Sequence, residues 1–236
     1  MKAYSYRFLI LAAFCCCLPS VSKAQEIRKP VENIAADSVK QTQPQPAKTV
    51  LSPLEIAVAV EINQARSNPQ KFIAILEDYR KYMTGNVLAL PNKVKLQMIE
   101  GLPAIDDAIS DLKKMTKFDS LEVSGGLSKV ARRHLTDLQE NPKLKHYGKD
   151  GSDLEKRLQQ VGFAGNAVAE NISYQVDTAL EVVLNMIIDD GIKSRSHRKN
   201  IFSPTFKLFG IACGAAKDKT TLCVAEFADT FKEFKS

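Results

Sequence analysis

Two β-type runs close this chain, Phe209-Gly210-Ile211-Ala212-Cys213-Gly214 and Thr221-Leu222-Cys223-Val224-Ala225-Glu226-Phe227, whereas the clear periodicity before them is helical. That order constrains the fold more than any other feature. Lys217-Asp218-Lys219 joins the two runs, and a hairpin about Asp218 sets Cys213 across from Cys223. A disulfide between them follows, with two small buried thiols as the alternative. Helices first and a terminal hairpin last describe an α+β domain, not a doubly wound α/β one.

Which cysteines can pair depends on which survive export. Lys2 and Arg7 form a basic n-region, Phe8 to Val21 is apolar, and Ser22-Lys23-Ala24 reads as a cleavage site before Gln25. The apolar run is short for a bilayer span and polar residues follow at once, so residues 1–24 read as a signal peptide and not as an anchor. Phe14 is too bulky for the usual lipoprotein signal at Cys15, so Cys15, Cys16 and Cys17 are expected to leave with the leader. Of five cysteines, Cys213 and Cys223 then remain, in an oxidising compartment, secreted or periplasmic.

Cleavage removes three basic residues and no acid, which lowers the formal net charge from +6 to +3. No Lys/Arg cluster with interleaved aromatics marks a nucleic-acid surface. Residues 25–50 read as a disordered polar tether, because Gln41-Thr42-Gln43-Pro44-Gln45-Pro46 cannot bury enough apolar surface to order itself. Residues 51–236 are long enough for one domain with its own core.

Within that domain Ser52-Pro53-Leu54-Glu55 reads as a capping box with proline at the first helical position, followed by Leu54, Val58, Ile62 and Ala65 at helical spacing. Asn68-Pro69 breaks and restarts the helix. Residues 84–104 read as a loop with one short helix, and Ile105, Ile109 and Leu112 mark the next helical stretch. A clear helix covers 126–140, with Leu127, Val130, Ala131, His134 and Leu138 on one stripe. A second capping box at Ser152-Asp153-Leu154-Glu155 opens a helix through Leu158 and Val161 that stops at Gly162. The last long helix is expected from Asp177 or Thr178 to Gly191.

The chain holds three histidines. His134, on the apolar stripe, reads as a core-edge histidine satisfied by a hydrogen bond. His146 and His197 sit beside small or polar residues and bracket Glu170, in Leu144-Lys145-His146-Tyr147, Ala169-Glu170-Asn171-Ile172 and Ser196-His197-Arg198-Lys199-Asn200-Ile201. Histidine and carboxylate bind metals and move protons near neutral pH. His146, Glu170 and His197 are expected on loops.

These segments, with Glu61-Ile62-Asn63-Gln64-Ala65-Arg66, Ala131-Arg132-Arg133-His134-Leu135-Thr136-Asp137, Gly210-Ile211-Ala212-Cys213-Gly214 and Glu226-Phe227-Ala228, resemble in order the bacterial type of the CAP superfamily. That superfamily, also called the SCP domain, includes cysteine-rich secretory proteins, antigen 5 and pathogenesis-related proteins. The resemblance implies an α-β-α sandwich with an open cleft lined by two histidines and two acids, here His146, Glu170, Asp189 and His197, with Asp190 as the alternative second acid. It also implies that His146 and His197 can hold a divalent metal, zinc foremost, magnesium or calcium otherwise. Three departures are visible. Met186 stands where the family has a tryptophan, Arg198 follows the second histidine where animal and plant members have an aromatic, and the link 189–195 is longer than the bacterial one.

Three functions fit this reading. The first is a secreted, non-catalytic module whose cleft binds a metal or a lipid, glycan or peptide. The second is a metal-assisted hydrolase with Glu170 as general base beside His197. The third is an envelope-associated interaction module. No nucleophile-plus-base signature stands out.

Overall fold

Helix signals near Pro53 and Pro69 translate directly into structure. A computed structural model describes residues 50–235; the signal peptide expected at 1–24 and nearly all of the tether expected at 25–50 lie outside the described residues. Helix α1 (Pro53–Ser67) opens with Ser52 accepting from the Glu55 amide and Glu55 reaching back to the Ser52 amide, a complete capping box. Asn68 ends α1 and caps α2 (Pro69–Lys81). Between α2 and α3 (Leu102–Lys114) the chain makes three two-residue strands, β1 (Met83–Thr84), β2 (Val87–Leu88) and β3 (Leu96–Gln97), paired antiparallel. The loop with one short helix expected there is therefore a small sheet, too short to show alternation.

The central sheet has the order β4-β7-β8-β6. Strand β4 (Glu122–Val123) runs parallel to β7 (Leu208–Ala215), while β8 (Thr221–Ala228) pairs antiparallel with β7 and with the edge strand β6 (Val168–Val176). Cys213 and Cys223 are direct ladder partners and form the disulfide, with Cα atoms 4.2 Å apart.

Side chains alternate across this sheet and separate two cores. On one face Ile172, Ala212, Leu222 and Val224 pack against Ala131, Leu135 and Leu138 of α4 (Gly125–Glu140). Leu158 of α5 (Leu154–Gln159) joins Leu127 and Val130 of α4 over the end of the same face. On the other face Phe209, Ile211, Ala225 and Phe227 pack with α1, α2, α3, α6 (Ala179–Ile188) and α7 (Ser196–Ile201). The result is an α-β-α sandwich; β5 (Gly162–Ala164) and β9 (Phe231–Glu233) pair beside it.

Three sequence expectations change. Strand β6 precedes α6, so the helices do not all come before the strands. Three of its polar residues, Glu170, Asn171 and Ser173, are buried: Asn171 donates to the His197 carbonyl at 3.0 Å and Ser173 donates to Asn185 at 3.0 Å. Helix α6 is shorter than expected, beginning after its cap Thr178 and ending at Asp189 in the left-handed region (φ 57°), not at Gly191. Asp153, not Ser152, caps α5, accepting from the Lys156 amide at 2.9 Å.

Candidate functional site

His146 follows a 3-10 turn (Pro142–Leu144) in a loop, and two buried side chains hold that loop. His134 Nε2 lies 2.7 Å from the Lys145 carbonyl, which assigns the proton to Nε2 and leaves a buried, unpartnered lone pair on Nδ1. Burial keeps the His134 ring neutral by pushing its pKa below the usual histidine value. Arg157, on α5, donates through Nη1 to the carbonyls of His146 at 3.0 Å and Ser152 at 3.1 Å.

The Arg157 guanidinium also donates through Nη2 to Glu170 Oε2 at 2.5 Å. Glu170 Oε1 lies 2.8 Å from His146 Nδ1, so the imidazole donates to the carboxylate. Glu170 is on β6, not on a loop, and its side chain is 3% exposed. Burial alone would raise its pKa, but the hydrogen bond from His146, with Glu226, His134 and Arg157 close by, brings it below the ordinary carboxylate value. With Nδ1 donating inward, His146 Nε2 takes no partner among the described residues, and the side chain is 55% exposed. It lines a recess of 420 Å³ with Glu170, Tyr147, Asp153, Leu154, Glu155 and Val168. A larger recess of 530 Å³ along α1, lined by Leu51, Ile56, Val60 and Val123 among others, contains no titratable side chain.

The second pair is tied to the next position of β6, where Asn171 donates to the His197 carbonyl at 3.0 Å. His197 is the second residue of α7, which makes it helical and not a loop residue. Asp189 Oδ2 accepts from the backbone amides of His197 at 2.9 Å and Arg198 at 3.4 Å. Asp189 Oδ1 sits 3.0 Å from His197 Nδ1, off the line of a hydrogen bond. Asp190 turns the opposite way: it accepts from the amides of Ile99, Glu100 and Gly101 at 2.6, 2.8 and 3.2 Å and ties the link to the start of α3. Arg195 completes that tie with a two-pronged bond to Glu100 at 2.6 and 2.8 Å.

The structure thus brings His146 to Glu170 and Asp189 to His197, as two pairs. Both pairs are anchored at consecutive positions of β6, since Glu170 bonds the His146 ring and Asn171 the His197 carbonyl. Among the described residues no three His, Cys, Asp or Glu side chains form a metal-binding group. Neither histidine ring bonds a Ser, Thr or Cys side chain among those residues.

Sequence reasoning missed two members of the site. Arg157 lies on the stripe Leu154, Leu158, Val161, where an arginine at i+3 of a buried face signals a partner below. Glu226 breaks the apolar run Leu222 to Ala228 and is wholly buried, opposite Glu170 in the β6–β8 ladder. Arg198, in the place of the family aromatic, is structural: it is 1% exposed and joins the Ile187 carbonyl at 2.8 Å to Asp107 at 2.6 Å and Asp111 at 3.0 Å. Met186 is fully buried in the core.

The model of the CAP, or cysteine-rich secretory protein, family matches residues 60–227. The chain belongs to the CAP family. Both histidine–carboxylate pairs and Glu226 fall inside the matched span. Solved structures similar to this CAP domain include an outer surface protein of Borrelia burgdorferi, 20% identical over 58% of this chain and 98% of that one, TM-score 0.41. An extracellular SCP-domain protein of Bacillus anthracis is 20% identical over 65% of this chain and 49% of that one, TM-score 0.38, so this chain spans about half its length. Venom allergen-like protein 4 of Schistosoma mansoni is 12% identical over 78% and 92%, TM-score 0.39. No curated protein matches.

Proposed function

We propose that this CAP domain works outside the cytoplasm as a non-catalytic binding module, holding a divalent cation or a small polar ligand at the edge of β6. One observation carries the reading: each of two imidazoles has Nδ1 beside a buried carboxylate and Nε2 without a partner among the described residues, at neighbouring points of one edge strand. A carboxylate behind an imidazole fixes its tautomer and raises its basicity as a ligand, the usual arrangement behind a metal-bound histidine. His146 and His197 would be the ligands, with Glu170 and Asp189 orienting them. Two imidazoles without a third grouped ligand suit a labile ion with open positions, not a closed structural zinc.

The hydrolase reading is weaker on this geometry. Both Glu170 oxygens are engaged, by His146 and Arg157, and the side chain is almost inaccessible, which favours an orienting role over proton abstraction from water. The Cys213–Cys223 disulfide, the leader and the secretory character of the family support an extracytoplasmic location. No helix among the described residues is long and apolar enough to cross a membrane. Isothermal titration with zinc, magnesium and calcium in turn tests the reading. A single saturable site is expected for at least one ion, and no heat with any of the three would count against cation binding.

A further inference from the structure

Behind the His146 pair lies a buried acid for which the proposed binding role has no use. Glu226 is completely inaccessible, and among the described residues no N–H or O–H group donates to either of its oxygens. The polar group in reach is itself an acceptor, the carboxylate of its ladder partner Glu170. On the other side its partner is Gly210, where a Cβ would lie 2.2 Å from both the Leu127 carbonyl carbon and the Ser128 nitrogen, so α4 closes directly over the strand. The hydroxyl on that side, Ser128, donates to the Ser124 carbonyl at 2.9 Å and not to Glu226.

We propose that Glu226 carries a proton in the folded protein and donates it to Glu170, so that the two carboxyls act as one singly charged unit positioning Glu170 against His146. The charges facing the pair argue for it. Helix α4 contributes His134, kept neutral by burial; α5 contributes Arg157, the cation bonded to Glu170; the loop contributes His146; β6 contributes Tyr174, its hydroxyl kept protonated by burial and by the Glu170 charge; and β7 contributes no titratable group. One guanidinium balances one carboxylate. A second carboxylate charge would be buried without a counter-ion or donor, and such a group takes up a proton instead. Burial first, and then the Glu170 charge, hold the Glu226 carboxyl well above the ordinary value of 4.5. The proton makes Glu226 a donor, and Glu170 then accepts from three sides, Arg157, His146 and Glu226, with no oxygen free to rotate away from the imidazole.

This holds whatever the cleft binds, so a failure to bind cations leaves it intact. The experiment uses the mature protein. Infrared difference spectra of wild type against Glu226→Gln near neutral pH should show a protonated-carboxyl C=O band present in wild type and missing in the variant. Nitrogen-15 spectra of His146 supply the positioning readout: Glu226→Ala should mix the two ring tautomers, and Glu226→Gln, which keeps a neutral donor, should restore the Nδ1–H form. If the variants fail to fold, the band in wild type alone decides, since it should persist above the pH at which exposed carboxyls have ionised. Absence of that band at neutral pH overturns the proposal, and so does a His146 tautomer that is identical in Glu226→Ala and wild type.

Discussion

Glu170 and Asn171 are consecutive on β6 and secure the two histidines from opposite faces of the sheet, Glu170 through the His146 ring and Asn171 through the His197 carbonyl. Alternation along the strand makes this possible, because neighbouring side chains point to opposite sides of an edge that both faces share. Neither pair needs a long loop to reach the other.

Arg157 should prove the residue around Glu170 whose loss costs the most stability. Its replacement by alanine leaves Glu170 buried without its cation and frees the carbonyls of His146 and Ser152. Breaking one side of a buried pair costs about 3–5 kcal/mol. Urea unfolding of Arg157→Ala should show a loss of that order, and a loss within experimental scatter would mean that the pair is not buried in solution.

Acid sensitivity should be traceable to His134. Its folded pKa lies below the reference value of 6.5, so the unfolded chain binds the extra proton first and stability falls as pH drops below that value. Glu170, whose folded value lies below 4.5, adds a second loss at lower pH. Unfolding measured at a series of pH values should show the upper of these two limbs flattened in His134→Asn. An unchanged limb would place the sensitivity elsewhere.

Much of the helical layer was readable because its cues are local: a capping box at Ser52, Asn68-Pro69 between two helices, the apolar stripe of α4. The disulfide was readable because two cysteines at matching distances from Asp218 admit one register. Strand β6 was not, because Glu170, Asn171 and Ser173 are polar yet buried, and polar residues in sequence look like loop until their partners are known. Those partners come from α5, α6 and α7, distant in the chain. The roles of Asp189 and Asp190 also depend on a left-handed turn at Asp189 that points successive carboxylates in different directions.

That division gives a clean contrast between two neighbouring acids. Asp190→Ala removes the acceptor for three amides at the start of α3 and should lower stability by about 1–2 kcal/mol, as loss of a capping side chain does, while leaving any cation binding nearly unchanged. Asp189→Ala should weaken that binding by about tenfold or more through loss of the group behind His197. Equal effects of the two on binding would contradict the assignment.

The Cys213–Cys223 crosslink closes a short loop, with a sequence separation of 10. Chain entropy then predicts a contribution of about 2–3 kcal/mol. Mass spectrometry of the unreduced protein should find the two cysteines linked, and the Cys213→Ala, Cys223→Ala double variant should lose stability by that amount. A fully alkylatable pair in the exported protein would contradict the linkage.

The central claim is that His146 and His197 jointly hold a divalent cation while their carboxylates stay behind them. Its most direct measurement is titration of zinc into wild type, His146→Ala and His197→Ala under one set of conditions. The account predicts a single site in wild type, weakened by acidification because protons compete for the imidazole lone pairs. It also predicts loss of most of that binding in each alanine variant, with unfolding midpoints close to wild type. Binding that is undiminished in both variants would contradict it.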